Sequence, residues 1–191
     1  MFRRKGNQSA RERSTEYATC KDFRQIFTED MAGLHLLAYL LTADMARAEQ
    51  CFVAGLEDSI HGNPVFKQWA RAWSKRTIIQ DAIKMVRPMG GREAAVPEET
   101  SPAQSRIGAD NPLVSLVMEW TPFERFVFVM SVLEGYSVRE CSTLLSCRDQ
   151  DVIAAKSQVL QRLAQEPERA GSAVQPGRLS WTGLFTSAQV A

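Results

Sequence analysis

Residues 137–163 read SVRECSTLLSCRDQDVIAAKSQVLQRL and contain two helical patterns separated by a tight turn. Ser137 and Glu140 have the spacing of a capping box, in which side chain and backbone satisfy each other's free groups at a helix start. A turn of three residues, 146–148, then precedes a second helix that Asp149 is predicted to cap. Two helices joined by so short a turn must cross closely, so the sequence predicts a helix-turn-helix.

The close crossing makes demands on three positions, and the sequence meets each of them. The first helix needs a small side chain, supplied by Ser142, and the turn needs a residue that tolerates unusual backbone angles, supplied by Ser146. The second helix needs an apolar residue, Val152. The open alternative is a plain helical hairpin that serves only for packing.

In a helix-turn-helix, the second helix lies in the major groove of DNA. Its outward face and its start carry the candidate contacts with DNA, which are Arg148, Gln150, Asp151, Ala154, Ser157, Gln158, Gln161 and Arg162. Gln158 and Gln161 have the chemistry to read adenine edges, and Arg148 that to hold a guanine or a phosphate.

Apolar residues recur at helical spacing along most of the chain, as at Leu34, Leu37 and Leu41, and strand signals are almost absent. The sequence therefore predicts an all-α protein, with further helix starts at a cap, Asp44, and at a capping box that begins with Thr121. The chain has 191 residues, of which 45% are hydrophobic and 24% charged, values that argue against disorder throughout. No segment approaches the ~20 apolar residues that cross a bilayer. We expect a cytoplasmic protein that makes no contact with a membrane.

Composition divides the chain into two small helical domains and three connecting or terminal segments. The predicted helical domains occupy 20–88 and 111–164. The segment between them, 89–110, is rich in Gly, Pro, Ser and Glu and lacks apolar periodicity, so it is predicted to be a flexible linker. The basic tail 1–19 and the tail 165–191 are predicted to be disordered, the latter for the most part.

Asn63 and Pro64 predict the start of a basic helix in the first domain. Six basic residues occur between Phe66 and Arg87, against one acidic residue. The candidate contacts with single-stranded DNA are Trp69, Arg71, Trp73, Lys75 and Arg76. Aromatic rings stack on unpaired bases and cations follow the backbone. Two alternatives stay open, namely that the tryptophans belong to the core and that the cations form a solvated face.

Enzyme chemistry finds little support in the sequence. There is no glycine-rich phosphate loop and no nucleophile motif. The four cysteines form no C-x-x-C pair, and only two histidines accompany them. We expect neither catalytic residues nor a metal or other cofactor, and we interpret the cysteines as reduced thiols on helix faces.

Both modules resemble the sigma-70 family, in particular its extracytoplasmic-function group. Residues 120–163 are similar to region four, the helix-turn-helix that reads the promoter −35 element. The matching features are Glu124-Arg125, Glu134-Gly135-Tyr136-Ser137, Glu140, Leu144-Leu145 and Val152. Residues 34–52, LHLLAYLLTADMARAEQCF, and 65–87, VFKQWARAWSKRTIIQDAIKMVR, look like region two, which melts and holds the −10 element.

The resemblance implies a transcription initiation factor that binds core RNA polymerase and promoter DNA and has an anti-sigma factor as a further partner. The positions that match the polymerase contact are Glu49, Gln50 and Val53. The family normally carries an acidic and glutamine-rich patch there, and Glu49 alone retains its acidic character. The alternative is a sigma-derived helix-turn-helix regulator or adaptor that no longer supports initiation.

Overall fold

The computed structural model describes residues 16–88 and 112–165, which form eight α-helices and no β-strand. The helices are α1 (Cys20–Glu29), α2 (Met31–Thr42), α3 (Met45–His61), α4 (Ala70–Val86), α5 (Pro112–Met118), α6 (Pro122–Phe128), α7 (Val138–Leu145) and α8 (Asp149–Gln165). A 3-10 turn, Lys67–Trp69, precedes α4, and α6 continues into a π-helical turn, Val129–Leu133. The predicted all-α fold is confirmed for these residues.

Four of the residues assigned to the N-terminal tail belong to the folded part. The ring of Tyr17 stacks on Phe66 with centroids 4.7 Å apart, and the N–H of Ala18 donates to Val65 O over 2.7 Å. Thr19 forms a capping box with Asp22 at the start of α1. The fold thus begins earlier than the sequence predicts. Residues 1–15, the linker 89–110 and most of the tail 165–191 lie outside the described residues.

Most helix starts fall where the local signals predict them. Thr121 and Ser137 form the predicted capping boxes of α6 and α7. Asp44 caps α3 by accepting a hydrogen bond from the N–H of Arg47 over 2.7 Å. The predicted cap at Asn63 and Pro64 is wrong. Helical structure there begins only at Lys67, because the two residues before it pair with the N-terminal segment.

One cluster of buried apolar side chains extends through both halves of the described chain. Helix α2 packs against α3 and α4 on one side and against α6 on the other. Arg125 of α6 lies in this region, and burial lowers its pKa to about 10, opposed by its charge interaction with Tyr39 of α2. The predicted division into two separate domains is therefore not confirmed.

Ala43, the C-cap of α2, has left-handed backbone angles with φ of 53°. Since a Cβ disfavours this conformation, Ala43→Gly should raise the free energy of unfolding by about 0.5–1 kcal/mol. The matched control is Ala46→Gly on the exposed side of α3, where glycine should lower it by up to about 1 kcal/mol. Urea denaturation measures both variants, and a loss at both positions would contradict the left-handed cap.

Candidate nucleic-acid interface

Helices α7 and α8 pack against each other and are joined by a tight turn, where the sequence predicts one. Ser146 takes left-handed backbone angles with φ of 51°, and its N–H donates to carbonyl groups of the last turn of α7. Ser142 is buried where α7 meets α8, and Val152 is completely buried. All three residues occupy the roles that the sequence predicts for them.

Asp149 does not cap α8, and that prediction is wrong. The residue before the helix is Arg148, and its N–H donates to the carboxylate of Asp151 over 3.2 Å. The carboxylate of Asp149 instead accepts a hydrogen bond from the hydroxyl of Ser142 on α7. Asp149 therefore ties the two helices together, whereas Asp151 satisfies the free backbone group at the start of α8.

The inner face of α8 is buried through Val152, Ala155, Val159 and Leu163, as predicted. Away from that face, all five uncharged residues among the predicted contacts are exposed, and they are Gln150, Ala154, Ser157, Gln158 and Gln161. Their side chains therefore line one accessible face of the helix.

The two arginines predicted to contact DNA are both paired with carboxylates. Arg148 donates from Nε to Asp151 Oδ2 over 3.1 Å and from Nη2 to Oδ1 over 3.0 Å. The hydrogen bond from Arg148 is the main reason that the pKa of Asp151 lies below its usual value. Arg162 holds the buried carboxylate of Glu124 in the same two-pronged way, over 3.1 and 3.2 Å.

Helix α8 also exposes two apolar side chains that were not among the predicted contacts. Ile153 is 44% exposed and Leu160 is 40% exposed. They are seven residues apart and so lie on one side of the helix, beside the polar outward face. Their positions in the sequence would have predicted this exposure, because neither residue falls at the helical spacing of the buried side chains of α8.

The tryptophans at the start of the basic helix differ in exposure. Trp69 is 56% exposed and meets Phe66 edge-on. Trp73 is half-buried, and its indole Nε1 is buried without a hydrogen-bond partner in the described part of the chain. One ring is thus available to a base, while the other belongs partly to the packing.

The cations of α4 are engaged by acidic side chains from other elements. Arg71 pairs with Asp30 over 2.8 Å and with Glu29 over 3.5 Å, at the junction of α1 and α2. Lys75 pairs with Glu134, in the segment before α7, over 2.9 Å. The predicted basic surface is therefore partly neutralised within the protein.

Arg76 faces Tyr136 and Glu140 across a groove. Burial raises the pKa of Tyr136, and the positive charge and hydrogen bond of Arg76 act against that shift. The pKa of Glu140 is lowered, mainly by hydrogen bonds from Ser137 and to a smaller extent by the charge of Arg76. The groove has a volume of about 800 Å³, and Trp69 and Trp73 also line it.

The predicted polymerase-contact residues lie together on the outside of α3. Glu49 and Gln50 are exposed, and Val53, one turn further along, is 54% exposed. This face is accessible to another protein and combines one carboxylate, one amide and one apolar side chain.

Within residues 16–88 and 112–165, no group of three or more His, Cys, Asp or Glu side chains is placed to hold a metal ion. None of the described helices combines the length and apolar character needed to cross a bilayer. Burial raises the pKa of Cys51 to about 12 and that of Cys141 to about 11, so both thiols stay protonated.

Taken together, the described residues form an all-α fold in which α7 and α8 are joined by a tight turn. Comparisons with protein-family models, with curated proteins and with solved structures find no match for this chain.

Proposed function

We propose that this protein is a sigma-70-type, extracytoplasmic-function-like initiation factor that binds core RNA polymerase and directs it to promoter DNA. The observation that carries the proposal is the arrangement of α8, which buries one face against the fold and presents a row of amide side chains on the other. Such a helix, set against a shorter one across a tight turn, suits the major groove of duplex DNA.

In this proposal the two halves of the chain bind different parts of the transcription complex. Helix α8 reads the −35 duplex, and the exposed ring of Trp69 beside α4 stacks on an unpaired base of the −10 strand. The face of α3 that carries Glu49 and Val53 contacts the polymerase. The resemblance of residues 34–52 and 65–87 to region two supports these assignments.

A second candidate function is a sigma-derived regulator or adaptor that no longer supports initiation. The observation that favours it is the pairing of Lys75 with Glu134 and the position of Arg76 opposite Glu140. Side chains that hold carboxylates within the protein are not free to follow a DNA strand. Among the three residues that match the polymerase contact, only Glu49 is acidic, which also favours this alternative.

Reconstituted transcription distinguishes the two functions. The purified full-length chain is added to core RNA polymerase from the same organism, with fragments of its genome as template. Specific transcripts that require the protein support the initiation factor. Duplex binding without such transcripts contradicts it and supports the regulator, and in that case Glu134→Gln shows whether the pairing with Lys75 suppresses initiation.

Gln158→Ala should lower the discrimination between −35 variants by about 1–3 kcal/mol, because an amide that pairs with a base edge contributes that much. Arg148→Ala should have a smaller effect, since its guanidinium is held by Asp151. Gln165→Ala, at the exposed end of the same helix, is the matched control. Competition binding with single-base variants of the selected site measures all three. Equal discrimination by Gln158→Ala and the unaltered protein would contradict the role of Gln158.

A further inference from the structure

The charged side chains of α8 and its preceding turn all have partners within the protein. The five are Arg148, Asp149, Asp151, Lys156 and Arg162. Arg148 and Asp151 bind each other, and Asp149 accepts from Ser142. The ammonium group of Lys156 donates to the carbonyl of Ser131 over 3.4 Å. With Arg162 held by Glu124, each of these five charged groups has a hydrogen-bond partner within the protein, and the remaining exposed side chains of the helix are uncharged.

The exposed uncharged side chains form one continuous face along α8. Helical spacing places Gln150, Ser157 and Gln161 farthest from the buried face, with Ala154 beside them and Gln158 along one edge. Ile153 and Leu160 lie along the opposite edge. A DNA duplex that binds this face of α8 therefore contacts carboxamide groups, with the apolar side chains of Ile153 and Leu160 beside them.

Exposed carboxamides and apolar side chains match A·T base pairs better than G·C base pairs. Glutamine pairs with N6 and N7 of adenine through two hydrogen bonds, and apolar side chains contact the methyl group of thymine. Guanine is read chiefly by free arginine or lysine, and cytosine by free carboxylates. Those charged groups are the ones that α8 keeps engaged internally.

We propose that α8 selects A·T-rich duplex sites, with Gln158 and Gln150 on adenine and Ile153 with Ala154 against thymine methyl groups. The inference rests on the proposed duplex-binding function and specifies its target. Asp151 has a specific part in this selectivity, because its carboxylate occupies the Nε and Nη2 donors of Arg148. Arg148 would otherwise use the same donors on guanine.

Selection from a pool of random-sequence duplexes by the full-length chain tests the proposal. We expect an enriched site dominated by A·T pairs. A consensus in which G·C pairs are the strongest positions would overturn the inference while leaving duplex binding intact. Failure to enrich any sequence would overturn both the inference and the proposed function, so the two failures are distinguishable.

Modified bases in the selected site test the two contacts separately. Replacing adenine by 7-deazaadenine removes the N7 acceptor, and we expect about a 5- to 150-fold loss of affinity that Gln158→Ala no longer shows. Replacing thymine by uracil removes the methyl group, and Ile153→Ala should abolish the sensitivity to that change. Gln165→Ala should retain both sensitivities. If neither modified base changes the affinity of the unaltered protein, the proposed readout is contradicted.

A substitution at Asp151 supplies a gain-of-specificity test. Asp151→Asn keeps an oxygen for the N–H of Arg148 but removes the negative charge that holds the guanidinium. We expect selection with this variant to yield guanine at the position that faces the first turn of α8. An unchanged consensus would contradict the role assigned to Asp151. Glu57→Gln, an exposed acidic residue on α3, is the control for the loss of one negative charge.

Discussion

Phe126→Ala should lower the free energy of unfolding by about 3–5 kcal/mol, the usual range for removing a fully buried aromatic side chain. Phe126 has no exposed surface and belongs to α6, which packs against α2. Because one apolar cluster extends through both halves, we expect the loss to be shared by both. Hydrogen–deuterium exchange should therefore show weaker protection in α2 as well as in α6.

Phe123→Ala provides the comparison for this experiment. Phe123 belongs to the same helix but is only half-buried, so its removal should have a smaller effect. Loss of protection confined to residues 112–165, with 20–86 unchanged, would contradict the shared core. That outcome would support the two separate domains that the sequence predicts.

Gly55→Val should reduce the free energy of unfolding by about 1–3 kcal/mol or more through overpacking. A Cβ at Gly55 would lie 2.6 Å from Cγ1 of Ile78 and 3.3 Å from the backbone of that residue. Helices α3 and α4 approach each other closely at this point, so the added side chain must push them apart. The displacement would also disturb α4, which carries the basic surface.

Thermal denaturation of Gly55→Val beside Ala46→Val isolates this clash. Ala46 is exposed on the same helix, so its substitution carries the lower helix propensity of valine without the contact to Ile78. We expect a much larger loss at Gly55 than at Ala46. Similar losses at both positions would contradict close approach of the two helices as the reason for the glycine.

Local signals predicted most of the helix positions correctly. Thr121 and Ser137 lie three residues before a glutamate, and Asp44 precedes an apolar pattern, so each start depends only on neighbouring residues. The start predicted at Asn63 failed for a non-local reason. The backbone that follows Asn63 is held extended by Tyr17 and Ala18, which lie more than forty residues earlier in the chain.

The candidate interface was predictable in part. Helical periodicity identified the buried and outward faces of α8, including Gln158. It did not identify which charges would be neutralised, because the partners come from distant positions. Arg162 is 38 residues from Glu124, and Lys75 is 59 residues from Glu134. Charges counted along the sequence therefore overstated the basic surface available on α4.

Sequence alone was sufficient for the all-α class, the helix starts at Asp44, Thr121 and Ser137, and the tight turn at Ser146, because those features depend on spacing and on residues close in the chain. The tertiary structure decided that the two halves share one core, that Gly55 lies where α3 and α4 approach closely, and which cations form ion pairs. Packing and ion pairing depend on distances between side chains that are remote in the sequence, and the fold alone sets those distances.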